Sequence, residues 1–334
     1  MKKFTVIGAG AWGTSLAIIL SRNGNDVTIW AREQEVIDDI TNNQENSVFL
    51  PGVKFDQPVK VTSSLEEAIS DADATVMVVP AQFVRNVCSS LAPIWRDGLP
   101  MLICSKGIEQ NTGSLMSEVV SATLPNAVIG VLSGPTFAGE AAKGLPTSVT
   151  IACEDETVGK SLVQAFGTKT FRPYYSPDVI GSQVGGAVKN VMAIAAGIVE
   201  GKELGDNTRA ALITRGLAEI VRLARRLGGK ETTLMGMSGI GDLLLTANSM
   251  QSRNFTVGVE LGKGKKLSEI MAGKRSVAEG VFTAKAVTDL AKKINIEMPI
   301  CSAINDILNH EADVDEKINA LLSRPFREER DLKV

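Results

Sequence analysis

Short runs of apolar and β-branched residues recur through the first half of the chain, at residues 4–7, 26–30, 60–62, 75–79, 101–104, 128–132, 148–152 and 170–174. Between most of them the apolar positions return at helical spacing, as at 64–70, 114–122 and 156–166. Apolar strands that alternate with helices predict βαβ units, and hence a largely parallel sheet covered on both faces. The texture changes near residue 179. Long helical patterns follow at 184–200, 207–227 and 282–293, and strand-like runs nearly vanish. The pattern therefore predicts an α/β fold with a doubly wound sheet over 1–180 and an all-α domain over 181–334, the boundary falling within 177–186. The strongly charged end, 324–334, reads as a loose tail. No internal repeat or low-complexity tract interrupts this plan.

Composition agrees with two ordinary cores. The chain has 334 residues, 44% of them hydrophobic and 22% charged, which is too long for one compact core. A net charge of -3 recommends neither a nucleic acid nor an anionic membrane as partner. Cys88, Cys104, Cys153 and Cys301 form no C-x-x-C pair and read as reduced thiols in a cytoplasmic protein. With His310 as the one histidine, no metal site is expected, and an acid/base role must be sought in another residue type. Lys2-Lys3 ahead of an apolar stretch loosely imitates a signal peptide. The small-residue site Ala9-Gly10-Ala11, however, precedes the apolar run 16–20 instead of following it. No segment reads as a membrane span.

A strand and a turn explain those N-terminal residues better. Gly8-Ala9-Gly10-Ala11-Trp12-Gly13 is a G-x-G-x-x-G between the strand pattern at 4–7 and a helical pattern at 14–22, the arrangement of a Rossmann-like dinucleotide site. Gly8 permits the tight turn, Gly10 lets backbone approach a pyrophosphate, and Gly13 allows close helix-to-strand packing. The helix start adds free N–H groups and a positive dipole end. At the end of the second strand, Ala31-Arg32 stands where NAD sites carry an acid, with Glu33 after it. A small residue plus Arg suits a 2′-phosphate, so NADPH is expected to serve at least as well as NADH; a solvated loop charge is the alternative for Arg32. Pro80 and Phe83 end the next long strand, where they would lie beside the cofactor or simply stop the strand.

Between Asp178 and Glu200 the chain carries one charge, Lys189, within an otherwise buried helical pattern. An isolated amine there must be paired or lose pKa, and a depressed lysine is a general acid near neutral pH. Its helical face also carries the small residues Gly185, Gly186, Ala193 and Ala196, which would leave room for a ligand. A buried structural ion pair is the competing reading. Asp242 follows Gly239 and Gly241, and either caps a helix or holds Lys189 and substrate. Pairing would raise the Lys189 pKa against burial, so the net direction stays open. Ser252-Arg253-Asn254 brings a guanidinium fork beside two neutral donors, which suits an anionic substrate.

Several blocks, taken in order, resemble the soluble, bacterial-type NAD(P)-dependent glycerol-3-phosphate dehydrogenase family. They are the glycine motif, Ser105-Lys106-Gly107-Ile108-Glu109, Gly134-Pro135-Thr136-Phe137-Ala138, Lys189-Asn190, Gly241-Asp242-Leu243 through Thr246, Ser252-Arg253-Asn254 and Glu279-Gly280. The stretch Asn207 to Arg215 is similar too. The resemblance implies NADPH or NADH as cofactor, with dihydroxyacetone phosphate and glycerol 3-phosphate as substrates. Lys189 would exchange the proton at the substrate C2 oxygen, with Asp242 in support. Lys106, Gly134, Thr136, Asn190, Thr246, Ser252, Arg253 and Asn254 would line the substrate. Trp12, Arg32, Lys106, Ala138, Arg253, Val277 and Glu279 would contact the dinucleotide beside the glycine turn and Ala11. The resemblance also implies supply of glycerol 3-phosphate for phospholipid synthesis. A cleft between the domains is the expected location, and long apolar helical faces make a homodimer reasonable. A dehydrogenase for another small anion, or an idle dinucleotide sensor, are the rival readings. The phosphate-like cluster argues against the first, and the buried lysine against the second.

Overall fold

Eight strands form one sheet: β1 (Lys3–Ile7), β2 (Asp26–Trp30), β3 (Lys60–Thr62), β4 (Ala74–Met77), β5 (Pro100–Ile103), β6 (Val128–Ser133), β7 (Thr147–Cys153) and β8 (Phe171–Ser176). The computed structural model describes residues 1–272, 278–325 and 328. The strands lie in the order β3-β2-β1-β4-β5-β6-β7-β8, so the sheet reverses direction of travel between β1 and β4. Every neighbouring pair is parallel except β6 and β7. Each apolar run of the first half falls on a strand, and the continuous runs of the central strands reflect burial on both faces, as in β4 and β5, whereas the edge strands β3 and β8 are only partly buried. The two faces are visible in successive residues. Val6, Val76 and Leu102 point into one core with the helix Ala11–Arg22. Ile7, Met77 and Ile103 point into another, with Cys88 and Val119 from the helices Val84–Leu91 and Met116–Thr123. Helices on both faces make the sheet doubly wound.

Two compact units account for the chain. One is Met1–Ser105 with Met116–Val179, the other Lys106–Leu115 with Ile180–Val334. The division at Val179 is accompanied by one departure from a simple 1–180 domain: ten residues from within it belong to the helical unit. Ile108 and Leu115 bridge each other and are buried in the helical core, which carries the segment across. The second unit is otherwise helical, built around Val179–Gly201, Asp206–Arg226, Arg253–Gly262, Glu279–Lys293 and Pro299–Asn309. Val179–Gly201 has the length and hydropathy of a membrane span, but 89% of that window is buried inside the protein. All four cysteines are buried, and none of them is in a disulfide. Of the tail 324–334, the described residues are Arg324, Pro325 and Glu328, and Arg324 Nη2 lies 2.8 Å from Glu297 Oε2.

Candidate active site

In the sheet unit, the glycine turn links β1 to the helix Ala11–Arg22. Gly8 has φ +115° and donates to the Trp30 carbonyl at 3.1 Å, which locks the turn onto β2. A Cβ at Gly13 would stand 1.9 Å from the Gly8 carbonyl oxygen, so only glycine permits this approach. Beside Gly10 the space is open: a Cβ there would meet nothing within 4 Å. Gly10 is the N-cap of the helix and offers no side-chain bond to its first turn, beginning at Ala11. Among the described residues, Trp12 Nε1 finds no hydrogen-bond partner although it is buried. Open space ahead of an uncapped helix start, with an orphaned donor beside it, fits a dinucleotide pyrophosphate. Arg32 ends β2 on the surface and meets Glu33 Oε1 at 3.1 Å, its side chain 76% exposed.

Further along the same unit, β6 runs into Gly134, whose φ is +152°. A Cβ there would lie 2.9 Å from the Val149 Cα, so the chain passes close to β7. Thr136 Oγ1 donates to the Gly134 carbonyl at 3.3 Å, and Ala138 starts the short helix Ala138–Ala142. Ser133 Oγ, just before Gly134, is buried without a hydrogen-bond partner.

In the helical unit, close backbone packing brings an amine and a carboxylate together. A Cβ at Gly185 would stand 2.2 Å from the Ser238 carbonyl oxygen, so a side chain there would hold the two segments apart. One turn later on each segment come Lys189 and Asp242. Asp242 opens the helix Asp242–Ala247 directly after a π-helical turn, Met237–Gly241, a rare local geometry that re-aims the residue following it. The space beside Gly185 is thus filled by protein, where the small-residue face had suggested room for a ligand.

Lys189 Nζ lies 2.9 Å from Asp242 Oδ1 and donates to Thr246 Oγ1 at 2.6 Å. Thr246 in turn donates to Asp242 Oδ1 at 3.3 Å. Lys106 Nζ donates to the other carboxylate oxygen, Oδ2, at 2.5 Å. One carboxylate therefore bridges two ammonium groups. Burial lowers the Lys189 pKa to about 8, assisted by the Lys106 charge and opposed by Asp242. For Asp242, burial pushes the pKa up, but the two lysines outweigh it and hold the carboxylate below its ordinary value. Lys106 is the member that sequence spacing did not pair with Asp242, since 136 residues separate them.

Beside Lys189, Asn190 accepts from Asn254 Nδ2 at 2.9 Å, and Asn254 Oδ1 accepts the Gly280 N–H at 2.9 Å. Ser252 caps the helix Arg253–Gly262, its Oγ accepting from Phe255 N at 3.2 Å. Arg253, the first helical residue, is exposed, whereas Asn254 is buried. Glu279 opens the helix Glu279–Lys293. Val277 lies outside the described residues.

Two family models cover most of the chain. The N-terminal domain of NAD-dependent glycerol-3-phosphate dehydrogenase matches residues 3–159, and the C-terminal domain matches 178–319. A relative from Parvibaculum lavamentivorans, glycerol-3-phosphate dehydrogenase [NAD(P)+], is 53% identical over 98% of both chains. Another of that name, from Rhodospirillum rubrum, is 56% identical over 97% of this chain and 93% of its own. The crystal structure of glycerol-3-phosphate dehydrogenase from Coxiella burnetii superposes with a TM-score of 0.93 at 36% identity, over 97% of this chain and 99% of that one.

Proposed function

The chain belongs to the NAD-dependent glycerol-3-phosphate dehydrogenase family, and we propose that it catalyses reversible hydride transfer between NAD(P)H and dihydroxyacetone phosphate, with Lys189 exchanging the proton. The observation that carries this reading is the buried Lys189 ammonium, held between Asp242 and Thr246 with a pKa of about 8. An acid of that pKa is half-ionised near the working range of a cell, so it releases and regains a proton readily.

The dinucleotide is assigned to the glycine turn Gly8–Gly13, with Ala11 and Trp12 at the helix start, Ala138 beyond β6, and Lys106, Arg253, Val277 and Glu279 from the remainder of the chain. When bound, the dihydronicotinamide supplies the hydride that reaches the substrate C2. Arg32, at the end of β2, is assigned to the 2′-phosphate, which makes NADPH at least as good a cofactor as NADH.

The chain's own residues do the rest. Lys189 Nζ gives a proton to the C2 oxygen as negative charge builds there, and takes it back in the reverse direction. Asp242 holds Lys189 on one oxygen and Lys106 on the other, so two cations are fixed before charge develops and no reorganisation is needed. Thr246 restrains the same amine from a second direction. Asn190, Ser252, Arg253 and Asn254 orient the phosphate, with Gly134 and Thr136 also assigned to the substrate, so that the carbonyl is presented to the proton donor. The reaction consumes one proton per carbonyl reduced, and Lys189 passes it on.

We place the enzyme in the cytoplasm, in keeping with four buried cysteines that form no disulfide, supplying glycerol 3-phosphate for phospholipid synthesis. Its partners are small phosphorylated substrates and a second copy of the chain, not nucleic acid or membrane. The test is dihydroxyacetone phosphate-dependent oxidation of NADH and NADPH by purified protein without added metal. Turnover with either cofactor is the expected result. Dinucleotide binding without turnover would redirect the assignment to another anionic carbonyl substrate.

A further inference from the structure

Asn46 lies on the stretch between the helix Gln34–Asn43 and β3, and it is completely buried. Its carboxamide reaches back 37 residues to the glycine turn. Nδ2 donates to the Ala9 carbonyl at 2.8 Å and to Thr14 Oγ1 at 2.8 Å. Oδ1 accepts the Phe49 N–H at 3.2 Å. A backbone N–H can only donate, so the amide oxygen must face Phe49 and the NH2 group must face the turn. The orientation of this side chain is therefore fixed by chemistry. Both amide protons are used, one of them on Ala9, the residue between Gly8 and Gly10.

The consequence follows from peptide geometry. Among the described residues no peptide bond is cis, and across a trans peptide the C=O of one residue and the N–H of the next point in opposite directions. Drawing the Ala9 oxygen inward onto Asn46 turns the Gly10 N–H the other way. Among the described residues, that N–H has no hydrogen-bond acceptor, and the space beside Gly10 is open. The second tether acts on the helix that follows: Thr14, whose N–H bonds the Gly10 carbonyl at 2.9 Å, is held by the same carboxamide. Turn and first helical turn are thus clamped by one side chain.

We propose that Asn46 is a positioning residue for dinucleotide binding, fixing the Ala9–Gly10 peptide so that the Gly10 N–H meets the pyrophosphate. This rests on the dinucleotide reading of the glycine turn. Asn46 itself touches no cofactor. It removes the freedom of one peptide plane, so that the donor is aimed before the anion arrives. Without it, the Ala9 carbonyl keeps the long 3.4 Å bond from Thr14 Oγ1, a weaker restraint that leaves the Ala9–Gly10 peptide freer to rotate its oxygen toward the anion.

Direct binding of NADH and NADPH to wild type, Asn46→Ala and Asn46→Asp, read by dinucleotide fluorescence, tests this. Asn46→Asp preserves shape and the Phe49 bond but has no proton to give Ala9, so it stands in if the alanine variant does not fold. The expected result is a rise in Kd of about tenfold, the loss of one charge-assisted hydrogen bond, by the same factor for both dinucleotides. In turnover, the loss falls on KM for the dinucleotide and not on KM for the phosphorylated carbonyl substrate. A variant with a lowered Tm that binds both dinucleotides as wild type does, well below that Tm, would overturn the positioning role and leave Asn46 merely structural. Failure of the wild-type protein itself to bind either dinucleotide would overturn the reading beneath it.

Discussion

Lys189 and Asp242 form a 2.9 Å ammonium–carboxylate pair one helical turn beyond the point where Gly185 meets the Ser238 backbone. Burial and pairing pull the lysine pKa in opposite directions, and burial wins, leaving it at about 8. The direction of that contest matters for the proposed proton exchange, because a lysine at its ordinary 10.5 would stay almost wholly protonated at neutral pH.

The pH dependence follows. Carbonyl reduction needs the protonated amine, so its kcat should fall as pH rises through about 8; alcohol oxidation needs the neutral amine and should rise through the same range. Lys189→Ala should lower kcat at least about a hundredfold, with dinucleotide Kd little changed. Lys189→Arg keeps the charge but cannot release the proton in this range, so it should be similarly slow. Rate profiles in both directions check this, and a wild-type profile flat between pH 6 and about 10 would remove Lys189 from proton transfer.

Gly185→Ala tests how the pair is assembled. The added methyl would stand 2.2 Å from the Ser238 carbonyl oxygen, a backbone atom that cannot swing aside. Forcing the segments apart should cost about 1–3 kcal/mol of stability and lower kcat together, since Asp242 lies one turn past the contact. Thermal melts and kcat measured on the same preparation decide. A destabilised variant with wild-type kcat would mean that the pair does not depend on this packing.

Arg32→Ala should weaken NADPH binding about tenfold while leaving NADH within about twofold, because the proposed role of the guanidinium is to pair with the 2′-phosphate, which NADH lacks. Its ion pair with Glu33 is exposed and contributes little to stability, so the fold should be unaffected. Equal losses with the two cofactors would show that Arg32 does not read the 2′-phosphate.

The sheet was legible because its central strands are buried on both faces and separated by turns, as at Val6–Ile7 and Val76–Met77, which serve opposite cores. The glycine turn was legible because Gly8 needs a positive φ and Gly13 a close backbone approach, both local demands that only glycine meets. Tertiary placement was not. Lys106 lies in a ten-residue segment whose membership of the helical unit is accompanied by only two buried apolar anchors, Ile108 and Leu115. Ser252 read as a ligand donor; the sequence did not show that its oxygen also accepts the Phe255 N–H as the cap of the helix Arg253–Gly262, a helix whose glycines 258 and 262 weaken its signal. Asn46 carried no motif at all. Its partners, Ala9 and Thr14, are set by folding over more than thirty residues.

The Asn190–Asn254 bond predicts non-additive losses. The Gly280 N–H fixes Asn254 Oδ1, which leaves its NH2 to hold Asn190 Oδ1. Removing either amide should raise KM for the phosphorylated substrate about tenfold, and removing both should cost little more than the worse single change. Independent multiplication of the two losses in a double-mutant cycle would mean that each amide binds the substrate on its own.

Glu219 gives a stability prediction away from the proposed chemistry. From the helix Asp206–Arg226 it caps another helix, Pro299–Asn309, accepting Ile300 N at 2.7 Å and Cys301 N at 3.2 Å. Burial pushes its pKa up from 4.5 to about 7, against the two N–H donors, the Cys301 side chain and the Arg222 charge. A raised carboxyl pKa means that the folded state keeps a proton the unfolded chain has already lost. This group's contribution therefore falls as pH rises from 4.5 to about 7, and is level above that. Glu219→Gln cannot titrate, so its stability curve should lack that decline, although one amide oxygen now serves two N–H groups and the whole curve should lie lower. Urea midpoints across this range, compared between the two proteins, measure it. Identical slopes would show that Glu219 is ionised in the folded protein throughout, with the cap strong enough to overcome its burial.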